Sequence, residues 1–533
     1  MKKLMVSIMV IAMVLGTFGM ASAGEISGET SGETSGETNI LNEYYNVMNA
    51  GKGDLFTNYV DGYTILVDLG MVVDMSKNRV GAFLESPHKT IEIYKENRAS
   101  SFESYNRYSN GFLKNTFDHT LLVKETQVIG NYTVFVTAWQ RAKLARVEMD
   151  KNYYVVLDFL SGTDIFTIVI KTDEPIENLG GYQKLVENFS PFNGYKQGRN
   201  HPTQDIDLDL RGWNEETQAF YQRIFRSEEG MSWGLYEPNT NYTKGSEYYD
   251  YNQIAWYEEQ FKYTFPVVVN YSEFDNTVKH PNLEKRLNQA WENEKVLELT
   301  LQTNNSTQGN MVYRVLQGEY DEFLNNYAKT ISDFDHPVIF RLGNEMNGDW
   351  CPYSGYNTSR DAQVFVNFYK YIHQVFSDQG VDNVIWVWNP NDKSFPDFKW
   401  NDAYNYYPGD EYVDVVGMTA YNTGTYYSRV GEKWLTFQEL YQKTYNEYSE
   451  HFGQALMITE FASASMGGSK SQWIKEMFTQ IPAYSKIKLA IWWDGCDYDG
   501  EEIARNYTMK ENQEVLDTFI DFFDPPWYIN AFA

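Results

Sequence analysis

Two glutamates stand at the ends of two apolar runs that the sequence predicts to be strands. Glu345 ends the run 338–345, and Glu460 ends the run Leu-Met-Ile-Thr-Glu at 456–460. A single carboxylate at a strand end is usually an ion-pair partner or a helix cap. Two of them on different strands, in aromatic surroundings, favour cleavage of a glycosidic bond, which needs one protonated and one ionised carboxyl group beside the anomeric carbon.

The order of the apolar runs predicts the fold that would bring these glutamates together. Eight runs alternate with helical stretches, at 233–237, 267–274, 296–303, 338–345, 384–389, 415–421, 456–461 and 489–494. Such alternation indicates an α/β fold with a parallel sheet, and eight units in about 300 residues is the count of a closed (β/α)8, or TIM, barrel. An open, doubly wound sheet would be expected to carry a Gly-rich phosphate loop after its first strand, and none is present there. Glu345 and Glu460 therefore fall on strands four and seven, at the carboxyl mouth of the predicted barrel.

Composition argues against two classes of partner. The 533 residues include 44 Lys and Arg against 73 Asp and Glu, a formal net charge of −29 at pH 7. Phosphate binding depends on Lys and Arg displacing counterions, so we expect no nucleic acid partner, and the same deficit argues against an anionic membrane surface. Aromatic residues make up 17% of the chain, a hint of sugar binding, although core packing explains most of it.

The first residues follow the pattern of an export signal. A positively charged start precedes an apolar stretch at 4–20 and the small-residue cleavage site ASA at 21–23. We expect a signal peptide at 1–23 and a secreted, extracellular protein with no membrane contact after cleavage; retention of the stretch as an anchor is the alternative. Residues 24–39 contain SGET three times, which predicts a flexible linker because the repeat has nothing apolar to bury.

Residues 40–195 are predicted to form a smaller α+β domain with an antiparallel sheet, because alternating strand signals dominate. These signals lie at 63–67, 132–136, 153–159 and 165–170. Short helical pieces are predicted near Asn42 and Gln183. A polar connector at 196–212 leads into the barrel at 213–533. The first domain is expected to contact the cell envelope or a polysaccharide, or to shield the barrel.

A second reading is a serine esterase that uses Ser232. The sequence GMSWG at 230–234 matches the nucleophile-elbow pattern, but that pattern requires a strand before the serine and a helix after it, the reverse of what is predicted here. The seven histidines show no metal-ligand spacing, and no nucleotide-binding motif occurs, so neither a metal nor a cofactor is expected.

Two acidic runs could form a cation site, and two cysteines could form a disulfide. The runs 205–209 and 497–501 are spaced so that they could hold a cation, but solvated residues are the favoured interpretation. Cys351 and Cys496 follow strands on opposite sides of the predicted ring, so two free thiols are expected.

Four segments, in chain order, are similar to glycoside hydrolase family 26. Residues 341–350, RLGNEMNGDW, resemble the acid/base segment of that family, commonly written RPFHEMNGxW. Residues 386–391 resemble its fifth strand, 407–417 the segment leading into its sixth, and 458–462 its nucleophile strand. The resemblance covers about 228–527 and implies a (β/α)8 barrel that hydrolyses a plant or algal β-linked polysaccharide.

The resemblance also implies a retaining, double-displacement mechanism. Glu345 would be the proton donor and general acid/base, and Glu460 the nucleophile. The carboxyl groups of such a pair lie about 5–5.5 Å apart. Arg341 and the Tyr421 hydroxyl are expected to keep Glu460 ionised.

Four further residues are expected to bind the sugar. Asn344 would hydrogen-bond a ring hydroxyl, and Trp350, Trp492 and Trp493 are the expected stacking platforms. Because side chains alternate along a strand, only one of Trp492 and Trp493 should face the barrel axis.

Asn344 stands where mannanases of the family usually carry His, next to the acid/base glutamate. The favoured substrate is β-1,4-mannan, cleaved by endo action, and this departure keeps mixed-linkage β-glucan and β-1,3-xylan as alternatives. A carbohydrate-binding barrel without turnover is a further alternative, against which the intact pair Glu345 and Glu460 argues.

Overall fold

The computed structural model describes residues 40–523, apart from 98–100, 201–210, 241–248, 276–279 and 305–308. The expected signal peptide at 1–23, the SGET linker at 24–39 and the acidic run 205–209 lie outside the described residues. Among the helices that the structure describes, none is long and apolar enough to cross a membrane.

The N-terminal domain contains two antiparallel sheets, which confirms the predicted sheet type. The five-stranded sheet has the order β1 (Ile40–Leu41), β2 (Tyr45–Asn49), β3 (Asp54–Asn58), β4 (Tyr63–Val67), β12 (Ser190–Pro191). The other seven strands are β5 (Val72–Asp74), β6 (Ala82–Ser86), β7 (Lys89–Glu96), β8 (His119–Ile129), β9 (Tyr132–Arg141), β10 (Tyr153–Ser161) and β11 (Asp164–Thr172). They form one sheet in the order β5-β6-β7-β11-β10-β9-β8.

The helices of this domain differ in part from the prediction. The helix predicted near Gln183 is present as α2 (Gly180–Glu187), but the one near Asn42 is wrong, because the flanking residues pair as β1 and β2. The sequence analysis missed α1 (Phe102–Ser109), which is short and mostly polar and begins where the Ser101 side chain accepts from the Ser104 amide.

The seven-stranded sheet is buried on both faces, because successive side chains of a strand point to opposite sides. On β10, Val155 and Leu157 pack in the core between the two sheets, whereas Tyr154 and Val156 pack in the core that includes the barrel. The N-terminal domain and the barrel therefore share a continuous apolar core.

Buried charged side chains cross the same interface. Arg360 Nη1 lies 3.2 Å from Asp158 Oδ2, and Lys171 Nζ lies 2.5 Å from Asp361 Oδ1. All four side chains are buried. Buried charges are tolerated when they stay paired, so this interface fixes the N-terminal domain against residues 349–361, part of the loop that follows the fourth barrel strand.

Eight parallel strands close into the predicted barrel. They are β13 (Ser232–Tyr236), β14 (Val267–Glu273), β15 (Val296–Gln302), β16 (Val338–Leu342), β17 (Val384–Trp388), β18 (Val415–Thr419), β19 (Ala455–Phe461) and β20 (Ile487–Trp493). The helices are α3 (Glu215–Phe225), α4 (Asn252–Phe261), α5 (Pro281–Glu292), α6 (Met311–Leu316), α7 (Asp321–Phe334), α8 (Ala362–Asp378), α9 (Phe437–His451), α10 (Lys470–Gln480) and α11 (Gln513–Phe522). Between β17 and β18 the described chain forms short 3-10 turns.

Helix α3 closes the amino end of the barrel. Its residues Phe220, Ile224 and Phe225 pack in one cluster with the first residues of several strands, among them Val267 and Val296. This packing fills the lower part of the barrel with apolar side chains, so polar groups inside it are concentrated toward the carboxyl end.

Candidate active site

Glu345 lies three residues beyond β16, in a turn at the carboxyl end of the barrel. The sequence predicted it as the last strand residue, but β16 ends at Leu342 and Glu345 has a φ of 54°. Left-handed backbone at a non-glycine residue costs about 1–3 kcal/mol and persists when the surroundings enforce it. Here the Glu345 amide donates to the Asn389 carbonyl at 2.7 Å, which ties the turn to the end of β17.

The Glu345 carboxyl group has two donors and a raised pKa. Asn391 Nδ2 donates to Oε1 at 2.5 Å, and the half-exposed Trp350 donates from Nε1 to Oε2 at 3.2 Å. Burial, and next the negative charge of Glu460, raise the pKa of Glu345 from 4.5 to about 7. The carboxyl group can therefore hold a proton near neutral pH, as a general acid must.

Glu460 lies on β19 and is held by two donors, one from β16 and one from the segment that follows β18. Arg341 Nη1 lies 2.6 Å from its Oε1, and the Tyr421 hydroxyl donates to its Oε2 at 2.8 Å. A cation and a hydroxyl directed at the two oxygens interact favourably with negative charge on the carboxylate. Arg341 and Tyr421 are thus placed where the sequence analysis expected them.

Arg341 also contacts a third carboxyl group, which the sequence analysis missed. Its Nε lies 2.8 Å from Glu298 Oε1 and donates to Thr300 Oγ1 at 2.8 Å. Burial raises the pKa of Glu298 to about 7, against the lowering effect of Arg341. The signal was present in β15, because Glu298 and Thr300 alternate with leucines whose side chains face the helices.

Both glutamates open on one cavity of about 300 Å³. It is lined by Tyr271, Glu345, Tyr421, Thr423, Glu460, Trp493, Asp497, Arg505 and Tyr507. A carboxyl group that keeps its proton to near neutrality and a second one contacted by a cation thus face the same space. This arrangement can protonate a leaving oxygen and present a nucleophile to the adjacent carbon.

The two tryptophans at the end of β20 point in different directions. Trp493 lines the cavity and stacks on Tyr236, with ring centroids 4.7 Å apart and planes 5° from parallel. Trp492 is buried against Phe519 and donates its indole N–H to the Tyr507 carbonyl at 2.9 Å. Strand alternation directs Trp492 to the helices, which corrects its place among the expected stacking platforms.

Asn344 is buried beside the turn that carries Glu345 and is not among the residues that line the cavity. Its Oδ1 accepts from Gln302 Nε2 at 2.6 Å and from the Tyr353 hydroxyl at 3.1 Å. A sugar hydroxyl that donated to this oxygen would have to displace one of these donors. The amide oxygen therefore stabilises the turn that carries Glu345.

A hairpin after β20 supplies cavity residues that the sequence analysis missed. It consists of β21 (Cys496–Asp499) and β22 (Glu502–Asn506). Arg505 Nη1 donates to Asp497 Oδ2 at 2.7 Å, and Arg505 also pairs with Glu432. In the described part of the chain, no group of three or more His, Cys, Asp or Glu side chains is placed to hold a metal ion.

The serine motif at 230–234 does not form a nucleophile elbow, and the two cysteines do not form a disulfide. Ser232 is the first residue of β13 and is completely buried, so a strand follows the serine where a nucleophile elbow has a helix. The structure therefore contradicts the serine esterase reading. Cys351 and Cys496 are both free thiols.

A closed (β/α)8 barrel with a glutamate pair of this kind at its carboxyl mouth is the arrangement typical of barrel glycoside hydrolases. Residues 250–482 match the sequence profile of Glycosyl hydrolase family 26. This match confirms the resemblance to that family that the motifs indicate.

Relatives with different substrate names share parts of the sequence. Endoglucanase H of Acetivibrio thermocellus is 30% identical over 181 residues, which cover 33% of this chain and 20% of that protein. A mannan endo-1,4-beta-mannosidase of Bacillus subtilis is 36% identical over 94 residues, 17% of this chain and 24% of its own length. A beta-1,3-xylanase of Alcaligenes sp is 29% identical over 108 residues, 20% and 21% of the two chains. The chain thus spans about a fifth to a quarter of these relatives.

Among solved structures, the catalytic domain of a family 26 endo-beta-1,4-mannanase from Bacillus sp. JAMB-750 aligns with a TM-score of 0.47 and 16% identity. The alignment covers 62% of this chain and 95% of that domain.

Proposed function

We propose that the protein is a retaining endo-β-glycosidase that hydrolyses a plant or algal β-linked polysaccharide, with β-1,4-mannan as the favoured substrate. The observation that carries the proposal is that Glu345 and Glu460 line one cavity but have different surroundings. Glu345 has a pKa of about 7, and Glu460 is contacted by Arg341 and Tyr421.

The proposed reaction has two displacement steps, and both glutamates act in each step. Glu345 donates its proton to the leaving glycosidic oxygen while a Glu460 oxygen attacks the anomeric carbon, so the bond to the leaving sugar breaks as a glycosyl–Glu460 ester forms. Glu345, now ionised, takes a proton from a water molecule that attacks the same carbon and releases Glu460. Two displacements at one carbon retain its configuration.

The choice of substrate rests on the relatives and on one side chain. Mannan is favoured because several relatives are named mannan endo-1,4-beta-mannosidase. Mixed-linkage β-glucan is the second candidate, because Endoglucanase H is also a relative and because Asn344 replaces the histidine of the family motif.

A panel of mannan, lichenan, β-1,3-xylan and cellulose tests the proposal, with products separated by length and the first anomer identified by NMR. We expect mannan to be cleaved fastest, internally, and with the β-anomer released first. Glu345→Ala and Glu460→Ala should each lower kcat about a hundredfold or more, whereas Glu450→Ala, an exposed residue of α9, should match the wild type.

Three results would contradict the proposal. Binding of a glycan without release of reducing sugar would indicate a carbohydrate-binding barrel. Release of the α-anomer first would indicate inversion. Full activity of Glu460→Ala would show that Glu460 is not the nucleophile.

We also propose that the protein is exported and that the leader at 1–23 is removed. The support is the charge, apolar length and small-residue site of that leader. The intact mass of the protein recovered from the culture medium should equal that of a chain that begins at Gly24. A mass that includes the leader would contradict the proposal.

A further inference from the structure

Exposed aromatic side chains continue outward from the Glu345 side of the cavity. The Trp350 side chain is 48% exposed although it donates to Glu345, and Phe395 beside it is 44% exposed. Their ring centroids lie 5.3 Å apart. Neighbouring exposed aromatic rings next to a binding cavity are more typical of a ligand surface than of solvent-facing residues.

This aromatic surface crosses onto the N-terminal domain. Asp349, next to Trp350 in the chain, accepts a hydrogen bond from the hydroxyl of Tyr108, the penultimate residue of α1. Tyr108 is 40% exposed, and its ring centroid lies 5.0 Å from that of Tyr356 in the same barrel loop. We call Trp350, Phe395, Tyr356 and Tyr108 the aromatic patch.

The domain interface holds the two halves of the aromatic patch in a fixed relation. Arg360 and Asp361, a few residues after Tyr356, form the buried pairs with Asp158 and Lys171. The Arg360 guanidinium also donates to the hydroxyl of Tyr105, in the same helix as Tyr108, at 2.7 Å. The N-terminal domain is therefore not a tethered module, and α1 keeps one position relative to Glu345.

We propose that Tyr108 and Tyr356 form a distal binding site for the bound polysaccharide. The site would hold sugar units remote from the glycosidic bond that Glu345 and Glu460 cleave. The proposal rests on the proposed function of the barrel. The ring faces suit the apolar faces of sugar units, and the Asp349 carboxylate and the tyrosine hydroxyls can bond their hydroxyl groups. The N-terminal domain thereby lengthens the substrate-binding surface beyond the barrel.

Tyr108→Ala tests the distal site with substrates of different length. We measure kcat/KM on mannotetraose, mannohexaose and polymeric mannan. The short substrate should be cleaved as by the wild type, because the proposed distal site binds only sugar units beyond those that flank the cleaved bond. On mannan, kcat/KM should fall about tenfold, mainly through KM. Tyr356→Ala should show the same length dependence.

Tyr195→Ala is the matched control, because Tyr195 is a 65% exposed tyrosine of the same domain that packs on Tyr59 rather than on the barrel. It should match the wild type at every length. Thermal unfolding of each variant shows whether it is folded, and Tyr356→Ala supplies the test if Tyr108→Ala is not.

The outcomes separate this site from the proposed function. A wild-type protein that cleaves no glycan contradicts the function itself. A wild-type enzyme that cleaves mannan, with both variants equal to it or reduced equally at every length, overturns the distal site and leaves the function in place.

Discussion

Arg341 Nε lies 2.8 Å from Glu298 Oε1, and neither side chain is exposed to solvent. The same guanidinium lies 2.6 Å from Glu460 Oε1. One buried cation thus joins two carboxyl groups on different barrel strands. Because a buried charge that loses its partner is costly, the position of Glu460 depends on Glu298, although Glu298 does not line the cavity.

Glu298→Gln should lower kcat with little change in KM. The amide keeps the shape of the side chain but removes the charge that holds Arg341 Nε, so the guanidinium loses its fixed orientation toward Glu460. We expect a loss of about tenfold in kcat but no loss of unfolding free energy, because burial raises the pKa of Glu298 to about 7 and its ionised form therefore does not favour the folded state. Steady-state kinetics and thermal unfolding measure both; Glu292→Gln, an exposed glutamate of α5, should change neither. An unchanged kcat would show that Glu298 does not position the nucleophile.

Trp350→Phe should shift the pH profile upward. The indole N–H stabilises the ionised form of Glu345 and so lowers its pKa, whereas burial and Glu460 raise it. Without this donor the acid keeps its proton to higher pH, so the alkaline limb of kcat/KM, expected near pH 7, should move toward higher pH. A profile measured from pH 5 to pH 9 would contradict the assignment of Glu345 as the acid if that limb moved down or stayed in place.

Glu345→Gln should stabilise the protein at high pH and not at low pH. The pKa of Glu345 is about 7 in the folded protein against 4.5 in the unfolded chain, so ionisation disfavours the folded state. Stability is therefore lost as pH rises from about 4.5 to 7, by up to about 3 kcal/mol, and the uncharged amide avoids this loss. Thermal unfolding at pH 4.5 and pH 8 measures the difference between variant and wild type. An equal difference at both values would contradict the raised pKa.

Asp158→Asn should destabilise the whole chain. Arg360 is completely buried, and removal of its carboxylate partner leaves a buried charge, a loss of about 3–5 kcal/mol. Asp68→Asn is the control, because Asp68 pairs with Lys89 at the surface, where such pairs contribute about 0–1 kcal/mol. Denaturant unfolding compares the two variants. If both lost the same small amount, the interface would not depend on this pair.

The barrel could be predicted because its eight strands are apolar enough to stand out, and their order fixed which residues reach the carboxyl end. Glu345 and Glu460 could be found because the first follows such a strand and the second lies near the end of one. The left-handed turn at Glu345 could not, since it depends on a bond to the Asn389 carbonyl from another strand. Asn391 could have been found, because it closes one of the motifs that carry the resemblance.

Other parts of the site had weaker signals. Asp497 and Arg505 lie in a polar hairpin that resembles a hydrated loop, and only the pairing of its strands brings them to the cavity. The contact between Tyr108 and Asp349 joins residues 241 positions apart, which no local pattern indicates. Strand pairing in the first case and packing between the domains in the second decided these features.

Because α3 fills the amino end with aromatic and aliphatic side chains, the cavity that holds Glu345 and Glu460 opens at the carboxyl end of the barrel. Polymer, attacking water and released fragments would all have to use that opening. Water could then reach the glycosyl ester only from the side that the departing fragment vacates, so the rate of the second displacement would depend on how quickly that fragment diffuses away.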